Sequence, residues 1–167
     1  MMRECVALLA VALLPGCSLI LNFDEAAPID AAIDAPYTQA QCEYLEPNDS
    51  TTTAATITSA DMGPAAICAP MSGSAPDEDY YKFNVASASV TIAVQFKNRP
   101  GGDLDIKLLD ANGAMVSQSR GFGDGEMISC PGASPSCTTL TVGMDYIIQV
   151  FPAVPGSVNS YTFAVTP

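Results

Sequence analysis

Two short runs of oxygen donors are the residues best equipped for chemistry in this chain: Glu46-Pro47-Asn48-Asp49 and Asp77-Glu78-Asp79. Carboxylates and amide carbonyls are hard ligands. They suit calcium, which takes six to eight oxygens and completes its shell with backbone carbonyls and waters. The candidate metal ligands are Glu46, Asn48, Asp49, Asp77 and Asp79, all in expected loops. The plainer reading is that loop acids are common on surfaces and bind nothing. A second set, Asp103, Asp105 and Asp110, alternates along one expected strand, and a solvated sheet face that resists edge pairing accounts for it.

Composition closes most other chemistry. None of the 167 residues is a histidine, which removes Ser-His-Asp and Cys-His nucleophiles, imidazole bases and His-ligated zinc. Ser117-Gln118-Ser119 has no basic partner to activate a hydroxyl. Gly121-Phe122-Gly123-Asp124-Gly125 precedes no helix, so it reads as a flexible turn and not as a phosphate cradle. Paired carboxylates could serve glycoside hydrolysis, but nothing selects a pair. The expectation is a protein without catalytic activity. A net charge of −12, with only 6 Lys+Arg, opposes nucleic acid as a partner.

The elements that must position these residues begin after a leader. Residues 1–16 hold Arg3 and an apolar run from Cys5 to Leu14, too short to span a bilayer and matched to a signal-peptide core. The run stops at Leu14-Pro15-Gly16-Cys17, which resembles a bacterial lipobox; Cys17 is then the lipidated N-terminus, and the competing reading is a plain secretory signal. Residues 17–41 turn to Ala, Pro and Asp without a sustained period, as expected of a disordered, charged tether.

From 42 to 167 the pattern is that of strands and turns. Tyr81, Phe83 and Val85 alternate with Tyr80, Lys82 and Asn84, and Val90, Ile92, Val94 and Phe96 do the same. Leu104, Ile106 and Leu108 face inward in a strand that ends at the hairpin turn Asn112-Gly113. Further strands are expected at 65–72, 115–119, 126–130, 137–142, 145–151 and 160–165, with no helical period in any window. Short strands at regular spacing predict an all-β, antiparallel β-sandwich.

Cys42, Cys68, Cys130 and Cys137 form an even set in an exported chain, as a disulfide framework requires. Three connectivities exist. Proximity in sequence favours Cys130 with Cys137, which leaves Cys42 with Cys68. No Cys-x-x-Cys pair supports zinc.

Five motifs in order carry a resemblance: Glu46-Pro47-Asn48-Asp49-Ser50; Asp77-Glu78-Asp79-Tyr80-Tyr81-Lys82-Phe83; the run Asp103 to Asp110 with Asn112-Gly113; Tyr146-Ile147-Ile148-Gln149-Val150; and Tyr161-Thr162-Phe163-Ala164-Val165. Together, over about residues 44–166, they resemble the bacterial pre-peptidase C-terminal domain. The resemblance implies a jelly-roll-like sandwich without catalytic activity. It also implies that the two acidic loops meet, because collagen-binding relatives hold calcium near the Glu-Pro-Asn motif and the acidic loop before the strand. The expected function is a cell-envelope lipoprotein, monomeric and anchored to the membrane through Cys17, that binds extracellular protein or polysaccharide. Tyr37, Tyr80 and Phe122 are its candidate contacts. The alternatives are a structural envelope lipoprotein, or an accessory domain to a separately encoded secreted peptidase.

Overall fold

The computed structural model describes residues 37–58, 61–69 and 75–167. The leader, Cys17 and the tether as far as residue 36 lie outside the described residues, as do positions 70–72 of the expected first strand.

Two sheets form the domain. One has the order β1-β3-β10-β5-β6, built from β1 (Ala55–Thr56), β3 (Asp79–Asn84), β5 (Leu104–Asp110), β6 (Met115–Ser119) and β10 (Asp145–Pro152). The other has the order β2-β11-β4-β7, built from β2 (Asp61–Ile67), β4 (Val90–Phe96), β7 (Gly125–Cys130) and β11 (Asn159–Thr166). A small ribbon pairs β8 (Gly132–Ala133) with β9 (Ser136–Cys137). Every pairing is antiparallel except that of β1 with β3. The first strand of the second sheet starts and ends earlier than the sequence suggests, at Asp61–Ile67 instead of 65–72. Its close approach to β11 needs Gly63, which sits at φ +110 where β11 shifts register between Tyr161 and Phe163. A Cβ at Gly63 would lie 3.2 Å from the Tyr161 carbonyl oxygen.

The period of two decides which side chains meet. Tyr81 and Phe83 of β3, Ile106 and Leu108 of β5, and Ile148 and Val150 of β10 point into the sandwich. Ile92, Val94 and Phe96 of β4, Ile128 of β7, and Tyr161 and Phe163 of β11 meet them from the other sheet. Tyr81 stacks on Phe163 with ring centroids 4.3 Å apart. Each of these side chains contributes about 1.5–3 kcal/mol on full burial.

The last residues of the expected tether are not extended. Gln39–Cys42 form one helical turn, α1, which Thr38 starts as a capping box: its hydroxyl accepts from the Gln41 amide, and Gln41 Oε1 accepts from the Thr38 amide at 2.6 Å. The sequence showed no helix here because a single turn is too short for a period to register.

Both disulfides favoured by sequence proximity are present, Cys42–Cys68 and Cys130–Cys137. The first spans 26 residues and the second 7. Loop-closure entropy makes them worth about 3.5 and 2.4 kcal/mol against the open chain. Such bonds belong to a protein that folds in oxidising surroundings.

Candidate metal centre

The pairing registers gather the chemistry at one end of the sandwich. Asp79 starts β3 opposite Val150 near the end of β10, and Asn159 starts β11 opposite Ile67 at the end of β2. The loop before β3 and the lead-in segment after α1 therefore arrive at the same edge. The Tyr80 amide donates to the Asn48 carbonyl at 2.9 Å and joins the two.

Four of the five expected ligand residues, Glu46, Asp49, Asp77 and Asp79, act on one another here, and Asn48 sits between Glu46 and Asp49 in the chain. Carboxylate oxygens of Glu46, Asp49 and Asp77 lie within 4.8 Å of one another. Glu46 Oε2 accepts from the Asn48 amide at 2.7 Å, and this contact curls the lead-in segment back on itself. Asp77 Oδ2 accepts from the Cys68 amide at 2.6 Å. Asp79 is only 2% exposed and accepts from the Tyr161 hydroxyl, which also shares a 2.7 Å hydrogen bond with the Tyr81 hydroxyl. The carboxyl groups of Asp79 and Glu46 lie close enough to act on one another's titration. Glu78, between Asp77 and Asp79, turns to the outer face of its sheet and accepts from the Tyr80 hydroxyl and Gln149 Nε2.

Asn48 is the most telling member. It is 0% exposed, yet neither its Oδ1 nor its Nδ2 has a hydrogen-bond partner. Its amide lies close enough to the Tyr81 hydroxyl to influence it electrostatically, but no hydrogen bond of acceptable geometry forms. Leaving a buried amide unsatisfied costs about 1–3 kcal/mol.

The electrostatics point the same way. Burial pushes the carboxyls of Glu46 and Asp77 up, and the neighbouring Asp49 charge pushes both further. Asp79 is held well above the ordinary carboxylate range, by burial first and then by the charges of Asp77 and Glu46, although the Tyr161 hydroxyl pulls it down. Burial next to Asp79 also raises both tyrosines. Among the described residues, the groups acting on these carboxyls are acids, a hydroxyl and backbone amides, so nothing cationic relieves the crowding. A divalent cation would.

The second acidic set does not assemble. Asp105 pairs in register with Phe151 and Asp110 with Tyr146, at opposite ends of β5. Asp110 Oδ1 accepts from the Asn112 and Ala114 amides, each at 2.8 Å, and so builds the hairpin turn. Asp105 corrects the expectation of a solvated sheet face. It is 4% exposed, with Arg120 Nε 3.8 Å away, and Lys107 and Arg120 both lie over the Phe151 ring beside it. Nor is β5 an edge: it lies between β10 and β6.

Of the three aromatic residues expected as contacts, the Tyr80 hydroxyl is spent on Glu78 and the Tyr37 hydroxyl on the Ala69 amide. Phe122 is 92% exposed on a braced loop, where Asn98 Nδ2 donates to its carbonyl and Asp124 holds Lys97 and the Asn98 amide. Sequence reasoning missed Tyr81 and Tyr161 as supports of Asp79. Their alternation marked them only as core. The available signal was tyrosine in place of phenylalanine at a buried position, because a buried hydroxyl needs a partner.

No protein-family model and no curated protein matches the chain. Among solved structures it is similar to the pre-peptidase C-terminal domain of collagenase from Bacillus anthracis. The two are 18% identical, the match covers 53% of this chain and 76% of that domain, and the TM-score is 0.40.

Proposed function

We propose that this chain is an exported, non-catalytic β-sandwich module of the cell envelope, anchored through lipid on Cys17, and that calcium pins its lead-in segment to the sandwich. Glu46, Asn48, Asp49, Asp77 and Asp79 would hold the ion. The supporting observation is the buried Asn48 amide, unpartnered beside three carboxylates within 4.8 Å of one another. Oxygen donors of this kind fit calcium and not a soft metal. When bound, the ion supplies charge neutralisation and a cross-link between loops, with no chemical step.

The module's task on this reading is to bind extracellular protein or polysaccharide as a monomer. The exposed Phe122 ring on its braced loop favours a binding role over a purely structural one, since the hydrogen bonds that hold the loop fix an aromatic contact in advance.

Thermal melts test the calcium reading. A ligand that binds only the folded form stabilises it by about 2.7 kcal/mol at a hundredfold excess over Kd, several degrees for a domain of this size. Millimolar calcium should raise the melting temperature relative to chelator. Asp79→Ala should shrink the difference and Asp105→Ala should leave it intact. Identical melts in calcium and chelator would sink the reading.

A further inference from the structure

Three of the five candidate ligands, Glu46, Asn48 and Asp49, lie on the lead-in segment, which runs into β1 at one end and is tied to the end of β2 by a disulfide at the other. We propose that the Cys42–Cys68 disulfide positions the calcium site, so that calcium affinity depends on the redox state of this cysteine pair. The proposal rests on the calcium reading above.

The bond spans both halves of the site. It closes a ring of chain from Cys42 to Cys68, separation 26, that contains Glu46, Asn48 and Asp49. At the ring's far end the Cys68 amide holds Asp77 Oδ2 at 2.6 Å. Opening the bond therefore frees the Cys42 end of the segment that carries Glu46 and Asp49 from the strand end that holds Asp77.

Beyond the disulfide, the segment packs the Tyr44 ring against the core, runs into β1 beside β3, and is otherwise held by hydrogen bonds. The Tyr80 amide donates to the Asn48 carbonyl at 2.9 Å, the Ala69 amide to the Tyr37 hydroxyl at 3.0 Å, and the Gly63 amide to the Tyr44 hydroxyl at 3.4 Å. Each exchanges readily for a bond to water. The single turn of α1 cannot hold its own shape, because helices this short lack the length to offset nucleation.

The second disulfide supplies an internal contrast. Cys130 and Cys137 are buried, and Cys130 pairs with Val90 at the start of β4. The hydroxyl of Tyr161, opposite Phe96 at the other end of β4, belongs to the site. Opening Cys130–Cys137 thus leaves the ligands untouched. Cys42 and Cys68 are only half-buried, within reach of a thiol in solution.

The redox step balances with a dithiol as reductant. Its thiolate attacks one sulfur of the pair, the S–S bond breaks through a mixed disulfide, and the second thiol closes the reductant into a cyclic disulfide. Two electrons and two protons pass to Cys42 and Cys68, which become thiols. The freed segment then brings its ligands to Asp77 and Asp79 at a far lower effective concentration. Linkage adds a converse: the factor by which reduction weakens calcium binding is the factor by which calcium favours the disulfide.

Calcium titration calorimetry on three oxidised proteins tests this: wild type, Cys42→Ser/Cys68→Ser and Cys130→Ser/Cys137→Ser. Wild type and the second variant should bind alike, and Cys42→Ser/Cys68→Ser should bind about tenfold more weakly or worse. In case that variant fails to fold, the thiol–disulfide equilibrium of Cys42 and Cys68 is measured in wild type by quenched alkylation. Saturating calcium should shift it toward the disulfide. Equal affinity in Cys42→Ser/Cys68→Ser, or an equilibrium indifferent to calcium in a protein that binds it, overturns this proposal alone. No binding by oxidised wild type overturns the calcium reading itself, and this proposal with it.

Discussion

The hydroxyl of Tyr161 on β11 donates to the buried carboxyl of Asp79 on β3, joining the two sheets across 82 residues of sequence. Hydrophobic packing alone would be served as well by phenylalanine at position 161. The hydroxyl matters because Asp79 is buried among other acids, and a buried carboxyl needs a donor to remain there.

Tyr161→Phe should therefore destabilise the domain by about 1–3 kcal/mol, the cost of leaving Asp79 short of a hydrogen bond. The loss should exceed that of Phe163→Leu on a per-atom basis. Urea unfolding of the two variants, compared through their midpoints at equal slopes, measures it. A Tyr161→Phe protein as stable as wild type would show that Asp79 finds its donor elsewhere.

Asn48→Leu separates an amide kept for a ligand from one kept for the fold. Both amide atoms are buried without partners, so an apolar side chain of similar volume removes a cost of about 1–3 kcal/mol in the calcium-free protein. In chelator the variant should melt at or above the wild-type temperature. In millimolar calcium the order should reverse, because the variant has lost a ligand. A variant less stable than wild type in both conditions would show that Asn48 serves the fold.

The strands were legible wherever one face met the core. Tyr81, Phe83 and Val85, and Leu104, Ile106 and Leu108, alternate as half-buried strands must, and they lie in the core as expected. The turn at Asn112-Gly113 was legible too, because Gly113 adopts the positive φ that glycine favours. Asp105 was misread. The period of two gives the side of the sheet but not what covers it, and Arg120, the residue that covers Asp105, comes from the loop after β6. Of the site, the five oxygen donors stood out by type and spacing. Their meeting in space was implied only by the resemblance and not by the pattern, because it depends on β3 pairing with β10 and on the reach of Cys42 to Cys68.

Asp105 also sets a pH dependence away from the acidic loops. Burial pushes its carboxyl up to about 6; Arg120 and Lys107 pull it down, while Glu126 and Asp103 push it further up. A carboxyl raised in the folded state contributes stability that is fully present below the unfolded value of 3.8 and is lost as pH rises through about 6. Asp105→Asn carries no such charge. Its stability relative to wild type should improve by about 1–2 kcal/mol between pH 4 and pH 7.5, a figure reduced for the solvent around Arg120. Denaturant midpoints for both proteins across that range check it, in chelator so that calcium plays no part. A stability difference that does not change with pH would mean that Asp105 titrates as an ordinary surface acid.

Counting the ions that the protein retains tests the calcium site most directly. Equilibrium dialysis against radioactive calcium, on oxidised wild type and on Glu46→Gln/Asp77→Asn, compares the same fold with and without two of the crowded carboxylates. The prediction is about one ion retained per wild-type chain, with saturation, and none by the variant at the same free calcium. No retention by wild type, or equal retention by both, would contradict the assignment of calcium to Glu46, Asn48, Asp49, Asp77 and Asp79.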